Sequence, residues 1–171
     1  ISDNPESVGR YMGKTNRVDI RKIGHTNVYF FGGTATKRIE DSKKDSMAVR
    51  STPGDWILLD ERDMFDEDIA FQVNQRLGNS KVWRRTDMGT PTIPDYGVDL
   101  LYKRSNQMRW QITCKSCAKH TCLETEFPQC IDESGYFKCI HCGEPLDRDN
   151  GTWGADYPDR DTVGYWTSQL L

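Results

Sequence analysis

Apolar and polar positions change their period several times along this chain, and each change marks an element. Val18 to Ile23 and Val28 to Phe31 alternate or run apolar around Gly24-His25-Thr26-Asn27, which predicts a β-hairpin or two neighbouring strands. Gly32-Gly33 ends the second strand. Ala35 to Val49 is charged and moderately helical, predicting a surface helix that leads to the turn signal Ser51-Thr52-Pro53-Gly54-Asp55. Trp56-Ile57-Leu58-Leu59 then runs apolar without a break into Asp60-Glu61. Such a run, bounded by Pro and Gly, predicts a strand buried on both faces, as in a parallel sheet. Phe65, Ile69, Phe71, Val73 and Leu77 follow at approximate helical spacing and stop at Gly78-Asn79, a C-cap signal. Lys81 to Arg85 is a short strand candidate feeding the tight turn Asp87-Met88-Gly89-Thr90-Pro91, and a second helix is predicted from about Val98 to Gln107. Strand–helix–strand alternation of this kind argues for an α/β layer.

Bulk composition narrows the classes. With 171 residues, 36% hydrophobic and 29% charged, the chain reads as a polar globular protein of one domain, or one core with a small appendage. Its formal net charge of −3 excludes nucleic-acid binding by the field of the whole molecule, so any DNA contact must come from a local basic patch. No apolar run approaches membrane-spanning length and no secretory signal is read. The opening on Ile1 and the closing Ser168-Gln169-Leu170-Leu171, without a polar tail, read as those of an internal piece of something longer.

Two adjacent carboxylates at the end of an apolar strand bring in candidate chemistry. In nucleotide-hydrolysing motors the first acid holds the Mg²⁺ shell and the second polarises the attacking water. The alternative is a strand that simply exits into a polar loop. Met12-Gly13-Lys14-Thr15 resembles the end of a phosphate-binding loop, but position 8 is Val where that loop needs Gly. No apolar strand precedes it and Val18-Asp19-Ile20 continues as a strand, so it is not read as one.

All six cysteines lie from Cys114 onward. Cys114-Lys-Ser-Cys117 and Cys139-Ile-His-Cys142 are C-x₂-C pairs separated by 21 residues, close to the spacing of four-cysteine zinc sites. Each pair can form a knuckle that turns two thiolates toward one tetrahedral ion, and Gly143 allows the left-handed backbone such a knuckle commonly needs. Thr121-Cys122-Leu123 and Tyr136-Phe137-Lys138 between the pairs read as short strands, outlining a zinc ribbon that depends on its metal to fold. A redox dithiol is the competing reading, but such pairs usually come singly, at a helix N-terminus in a βαβ setting. Four thiolates leave no open position, so the metal is expected to be structural. Cys122 and Cys130 read as small core residues, and His120 and His141 as bystanders. Lys103, Arg104, Arg109, Lys115 and Lys119, with Trp110 among them, are either a DNA-backbone contact or a solvated face.

In order, these features resemble the large subunit of tailed-phage terminases, in the lambda-like branch. Val28-Tyr-Phe-Phe-Gly-Gly33 with a helix ending near Met47-Ala-Val-Arg50 is similar to the segment leading into that family's second Walker motif, and Trp56 to Glu61 to the Walker B strand itself. Gly89-Thr90-Pro91-Thr92-Ile93-Pro94-Asp95-Tyr96-Gly97 resembles its Ser/Thr-rich coupling motif. Ser105 to Trp110 running into Cys114 resembles the approach to its zinc-binding insert. Gly151-Thr-Trp153 and Gly164-Tyr-Trp-Thr-Ser-Gln169-Leu170 resemble the closing segments of its ATPase domain. The resemblance spans about 140 residues, from near Val28 to the end. Gly89 departs from it, standing where Ser or Thr is often found, so the polar role falls on Thr90.

The resemblance implies a partial P-loop-type (ASCE) α/β ATPase sheet with an appended small β zinc ribbon. It divides the chain into a partial ATPase core over 1–108, a zinc-ribbon insert over 109–148 and the end of the ATPase domain over 149–171. It implies that Asp60 serves the Mg²⁺ shell, Glu61 is the catalytic glutamate, and Thr90 couples hydrolysis to the following helix and ribbon. The competing role for Thr90 is a hydroxyl that merely caps its turn. Cys114, Cys117, Cys139 and Cys142 would hold structural zinc, with Mg²⁺ and ATP used by the full-length enzyme. That enzyme would package viral double-stranded DNA into a prohead and cut it with an endonuclease. Its partners would be a small terminase subunit, a portal ring and further copies of itself, in the host bacterial cytoplasm and without a membrane. The phosphate-binding loop belongs upstream of this window and the nuclease domain downstream, so the fragment alone is expected to be nearly inactive. The rival classes are a zinc-ribbon nucleic-acid- or protein-binding module on an α/β base, and a helicase-type ATPase.

Overall fold

The computed structural model describes residues 9–17, 19–31, 52–65 and 67–167. The helix expected over 35–49, the Gly32-Gly33 strand end, the 47–50 stretch and the closing residues 168–171 lie outside the described residues. The architecture is mixed α/β, with small sheets and few helices, and none of the described helices is long and apolar enough to cross a membrane. The chain forms two units, 1–89 and 90–171.

In the first unit, β1 (Met12–Asn16), β2 (Ile20–Ile23) and β3 (Thr26–Tyr29) form an antiparallel sheet in that order. The expected hairpin is present, with Ile20 opposite Tyr29 and Ile23 opposite Thr26, closed by the two residues Gly24-His25. Met12-Gly13-Lys14-Thr15 lies within β1, paired to β2, which agrees with rejecting it as a phosphate loop.

A parallel pair follows. β4 (Trp56–Leu59) and β5 (Arg84–Asp87) pair in register from Trp56 with Arg84 to Leu59 with Asp87. Parallel strands need a crossover connection. Here it is a 3₁₀ turn (Arg62–Met64), helix α1 (Glu67–Asn74) and a second 3₁₀ turn (Gln75–Leu77), after which the chain turns at Gly78 as expected. The β4 strand is not buried on both faces. Leu59 is buried and Ile57 half-buried, whereas Trp56 and Leu58 are exposed. The described residues leave this two-stranded sheet uncovered on the Trp56–Leu58 face. Arg84 lies over the Trp56 ring there, and Trp56 Nε1 donates to Thr86 Oγ1 at 3.0 Å. β5 also starts three residues later than the Lys81–Arg85 run predicted. The Ser80 hydroxyl accepts the N–H groups of Val82 and Trp83 and donates to Asp55, fixing a turn where the apolar run suggested a strand.

In the second unit, α2 (Gly97–Arg104) precedes β6 (Met108–Thr113), the hub of a four-stranded sheet. β7 (His120–Thr121) and β8 (Gly151–Ala155) pair antiparallel with β6, and β9 (Tyr165–Trp166) pairs parallel with it. Trp110 faces Trp153 across β6 and β8, ring centroids 5.3 Å apart. The core is Ile112, Leu123 and Cys130, ringed by Trp110, Ile131, Phe137, Ile140 and Leu146.

α2 ends three residues short of the predicted Gln107. Ser105 Oγ donates to the Tyr102 carbonyl and accepts the Gln107 N–H, and Gln107 takes a left-handed φ of 54°. The freed carbonyls of Lys103 and Ser105 each accept a 2.7 Å bond from Arg160 Nη1, whose guanidinium also stacks on Tyr157. A cation at a helix C-terminus in a partly buried setting contributes up to about 2 kcal/mol. Arg160→Ala is therefore expected to lower stability by about 1–2 kcal/mol in urea titration, and Arg160→Lys by less, because it keeps the charge and loses only the guanidinium plane stacked on Tyr157.

Candidate functional site

The Asp60-Glu61 pair forms a two-residue loop at the carboxyl end of β4, pinned at both ends to one residue, Met88, directly after β5. The Met88 N–H donates to the Leu59 carbonyl, and the Met88 carbonyl accepts the Arg62 N–H, each at 2.8 Å. Within the loop Asp60 Oδ1 accepts the Glu61 N–H at 3.0 Å, and both acids are solvent-exposed. Glu61 is held at φ 52°, ψ 48°, a left-handed conformation that costs a non-glycine residue on the order of 1–2 kcal/mol. Gly89 closes against the same loop at φ +154°. A Cβ there would lie 3.1 Å from the Arg62 nitrogen and 3.3 Å from Glu61 Cα, which accounts for glycine at this position.

Arg62 went unnoticed in the sequence, where a basic residue after two acids looks like ordinary surface. Among the described residues of the unit it is the most buried charged side chain. Nη2 lies 2.6 Å from Glu67 Oε1 on α1, and Nε 3.4 Å from Asp87 Oδ1 on β5. Asp87 also accepts a two-pronged pair from Arg85 at 2.7 and 2.8 Å.

Thr90 is exposed and opens the second unit, so the three residues Asp60, Glu61 and Thr90 belong to two units. In α2, Lys103 pairs with Asp95 and Asp99, each at 2.8 Å. Lys103, with the Asp95 N–H, holds the Asp99 carboxyl below the usual carboxylate range.

The four cysteines singled out by spacing come together. The sulfurs of Cys114, Cys117, Cys139 and Cys142 all lie within 4.8 Å of one another. Cys114 and Cys142 are 3.6 Å apart, Cys117 and Cys139 3.7 Å. A tetrahedron with metal–sulfur bonds of about 2.3 Å has edges of about 3.8 Å, so the donor set fits a thiophilic ion such as zinc.

The two knuckles share one hydrogen-bond pattern. The Ala118 N–H donates to the Cys114 carbonyl and the Gly143 N–H to the Cys139 carbonyl. The Cys114 N–H returns to Lys119 O, and the Cys139 N–H to Glu144 O. Both fifth residues are left-handed, Ala118 at φ 58° and Gly143 at φ 81°. Glycine announced only the second. An added Cβ at Gly143 meets nothing within 4 Å, so the cost of a side chain there is backbone strain alone. Gly143→Ala is expected to lose about 1 kcal/mol in denaturation while retaining full metal content by elemental analysis.

Backbone N–H groups prepare these sulfurs for negative charge. Those of Cys117 and Ser116 lower the Cys114 thiol. Burial opposes ionisation of Cys139, but the His141 and Cys142 N–H groups, helped by neighbouring thiols, bring it down to about 6. The Glu144 N–H favours the Cys142 thiolate, yet burial and the other three sulfurs outweigh it and push Cys142 up to about 12. One charge is thus welcome in the cluster, and further charges need a cation.

The remaining cysteines stand apart. Cys130 is fully buried and donates to the Leu123 carbonyl, and Cys122 Sγ lies 3.2 Å from Glu124, with burial raising both thiols. His120 and His141 lie outside the sulfur cluster, bonded to Thr113 Oγ1 and to the His120 carbonyl respectively. No protein-family model, no curated protein and no solved structure matches this chain.

Proposed function

We propose that this chain is the Walker B and zinc-ribbon portion of a terminase large subunit, part of an ATP-driven motor that packages viral DNA. The observation that carries the reading is the Asp60-Glu61 loop. It sits at the carboxyl end of a parallel strand and is pinned to Met88, between β5 and Gly89-Thr90-Pro91. Open α/β sheets bind their ligands outside the carboxyl ends of the strands.

In the full-length protein, Asp60 would hold the water shell of Mg²⁺ and Glu61 would orient the attacking water in line with the γ-phosphate. The bound Mg²⁺ supplies neutralisation of charge on the phosphates. The pinned loop provides fixed placement, which is most of what phosphoryl transfer asks of a protein. Cys114, Cys117, Cys139 and Cys142 would hold one structural zinc.

A nucleic-acid-binding ribbon is the weaker reading. Between Arg109 and Arg148, five Lys and Arg face six Asp and Glu, and a divalent ion on four thiolates makes the segment more negative still. Lys115 and Arg109 are moreover paired to Asp147 and Asp156. The deciding experiment is ATP turnover by the full-length protein with and without Glu61→Gln.

A further inference from the structure

The residue after the two acids is a buried arginine, and buried ion pairs are seldom chosen for stability. Apolar replacements of similar volume are often neutral or better. Only 5% of the Arg62 side chain is exposed, and both Nε and Nη1 are buried without a hydrogen-bond partner among the described residues, so the 3.4 Å approach of Nε to Asp87 is an ion pair and not a hydrogen bond. An unsatisfied buried donor costs roughly 1–3 kcal/mol. Stability alone does not favour arginine here, so its contacts call for another reason.

Those contacts converge on the loop. The Arg62 main chain is the downstream pin of Asp60-Glu61, through the Met88 carbonyl. Its side chain reaches Asp87, the last residue of β5, so guanidinium and backbone hold Asp87 and Met88, adjacent residues at the end of that strand. The other arm reaches Glu67 in the first turn of α1. Glu61, directly before Arg62, carries the left-handed strain that this grip must hold.

We propose that Arg62 is a positioning residue for the reaction: through Asp87 and Glu67 it locks the Glu61 backbone to the end of β5. The proposal rests on the motor reading of Glu61. It also makes Arg62 the mechanical link by which a shift at the β5 end would move Glu61.

The test uses the full-length protein with Arg62→Lys, Asp87→Asn and the double variant. Lysine keeps the charge but cannot span Asp87 and Glu67 with two separate arms. Misplacement of a reacting group by about 1 Å costs on the order of 100-fold. Arg62→Lys and Asp87→Asn should each lower kcat for ATP about 10- to 100-fold, with KM nearly constant. The double variant should be no worse than the poorer single, since both break one link. Amide exchange at Arg62 should accelerate in both singles. Glu67→Gln, at an exposed partner, is a mild third variant that should show a smaller loss in kcat without endangering the fold.

Unchanged kcat in folded Arg62→Lys and Asp87→Asn, with Glu61→Gln inactive, would overturn the positioning role and leave the motor reading standing. A rise in KM alone, or strictly additive losses, would overturn it as well. If Glu61→Gln retains turnover, the motor reading fails instead. Amide exchange then still decides whether Arg62 locks the loop, and unchanged protection at Arg62 would end that claim too.

Discussion

Glu61→Gln in the full-length protein is expected to cut ATP turnover by about 10²- to 10⁴-fold, with KM for ATP changed only a few-fold. The substitution keeps the shape of the side chain and removes only the carboxylate that would polarise water. At about 1.4 kcal/mol per decade, the loss corresponds to roughly 3–5 kcal/mol of barrier. The fold should tolerate the change, because the Glu61 side chain is exposed and its structural bonds are main-chain, the N–H to Asp60 and the carbonyl to the Met64 N–H. Asp60→Asn should act differently, raising the Mg²⁺ concentration needed for half-maximal rate. Wild-type turnover in Glu61→Gln would return the pair to a polar strand exit.

How much of this was legible in the residues depends on how local each cause is. The C-x₂-C pairs were legible because a knuckle is a five-residue event, closed by Ala118 to Cys114 and by Gly143 to Cys139. Even so, Ala118 carries no signal of its left-handed backbone. The Trp56–Leu59 strand was legible from its apolar run, but its burial was not, since burial depends on what covers Trp56 and Leu58. The Ser80 turn displaced β5 because one hydroxyl offered the backbone a closer partner than a strand did. Thr121-Cys122-Leu123 shows the same limit. Only His120–Thr121 pairs as a strand, and Leu123–Glu126 turns into a four-residue helix, labelled α3 here. Arg160 was missed because its partners lie 55 and 57 residues away, and Arg62 because its burial depends on Asp87, 25 residues away, as well as on Glu67 nearby.

Removing the metal should have the largest effect on the fold. Elemental analysis is expected to return one zinc per chain, and Cys139→Ser or a strong chelator should unfold the segment from Cys114 to Leu146. Structural zinc contributes on the order of 10 kcal/mol in small modules, far more than the three-residue core of Ile112, Leu123 and Cys130 can supply. Trp110 packs against that core and so reports on it; its near-ultraviolet circular dichroism should collapse with metal loss while β1–β3 keep their far-ultraviolet signal. The dependence on pH has a definite sign. Four thiolates would bind the ion, and the metal-free cluster holds more protons, with Cys142 pushed up to about 12 and Cys139 down to about 6. Metal uptake therefore releases protons and tightens as pH rises. It weakens as pH falls, most steeply below about 6, where Cys139 is protonated as well. A folded, metal-free protein at neutral pH, with its Trp110 signal intact, would show that the four sulfurs meet for another reason.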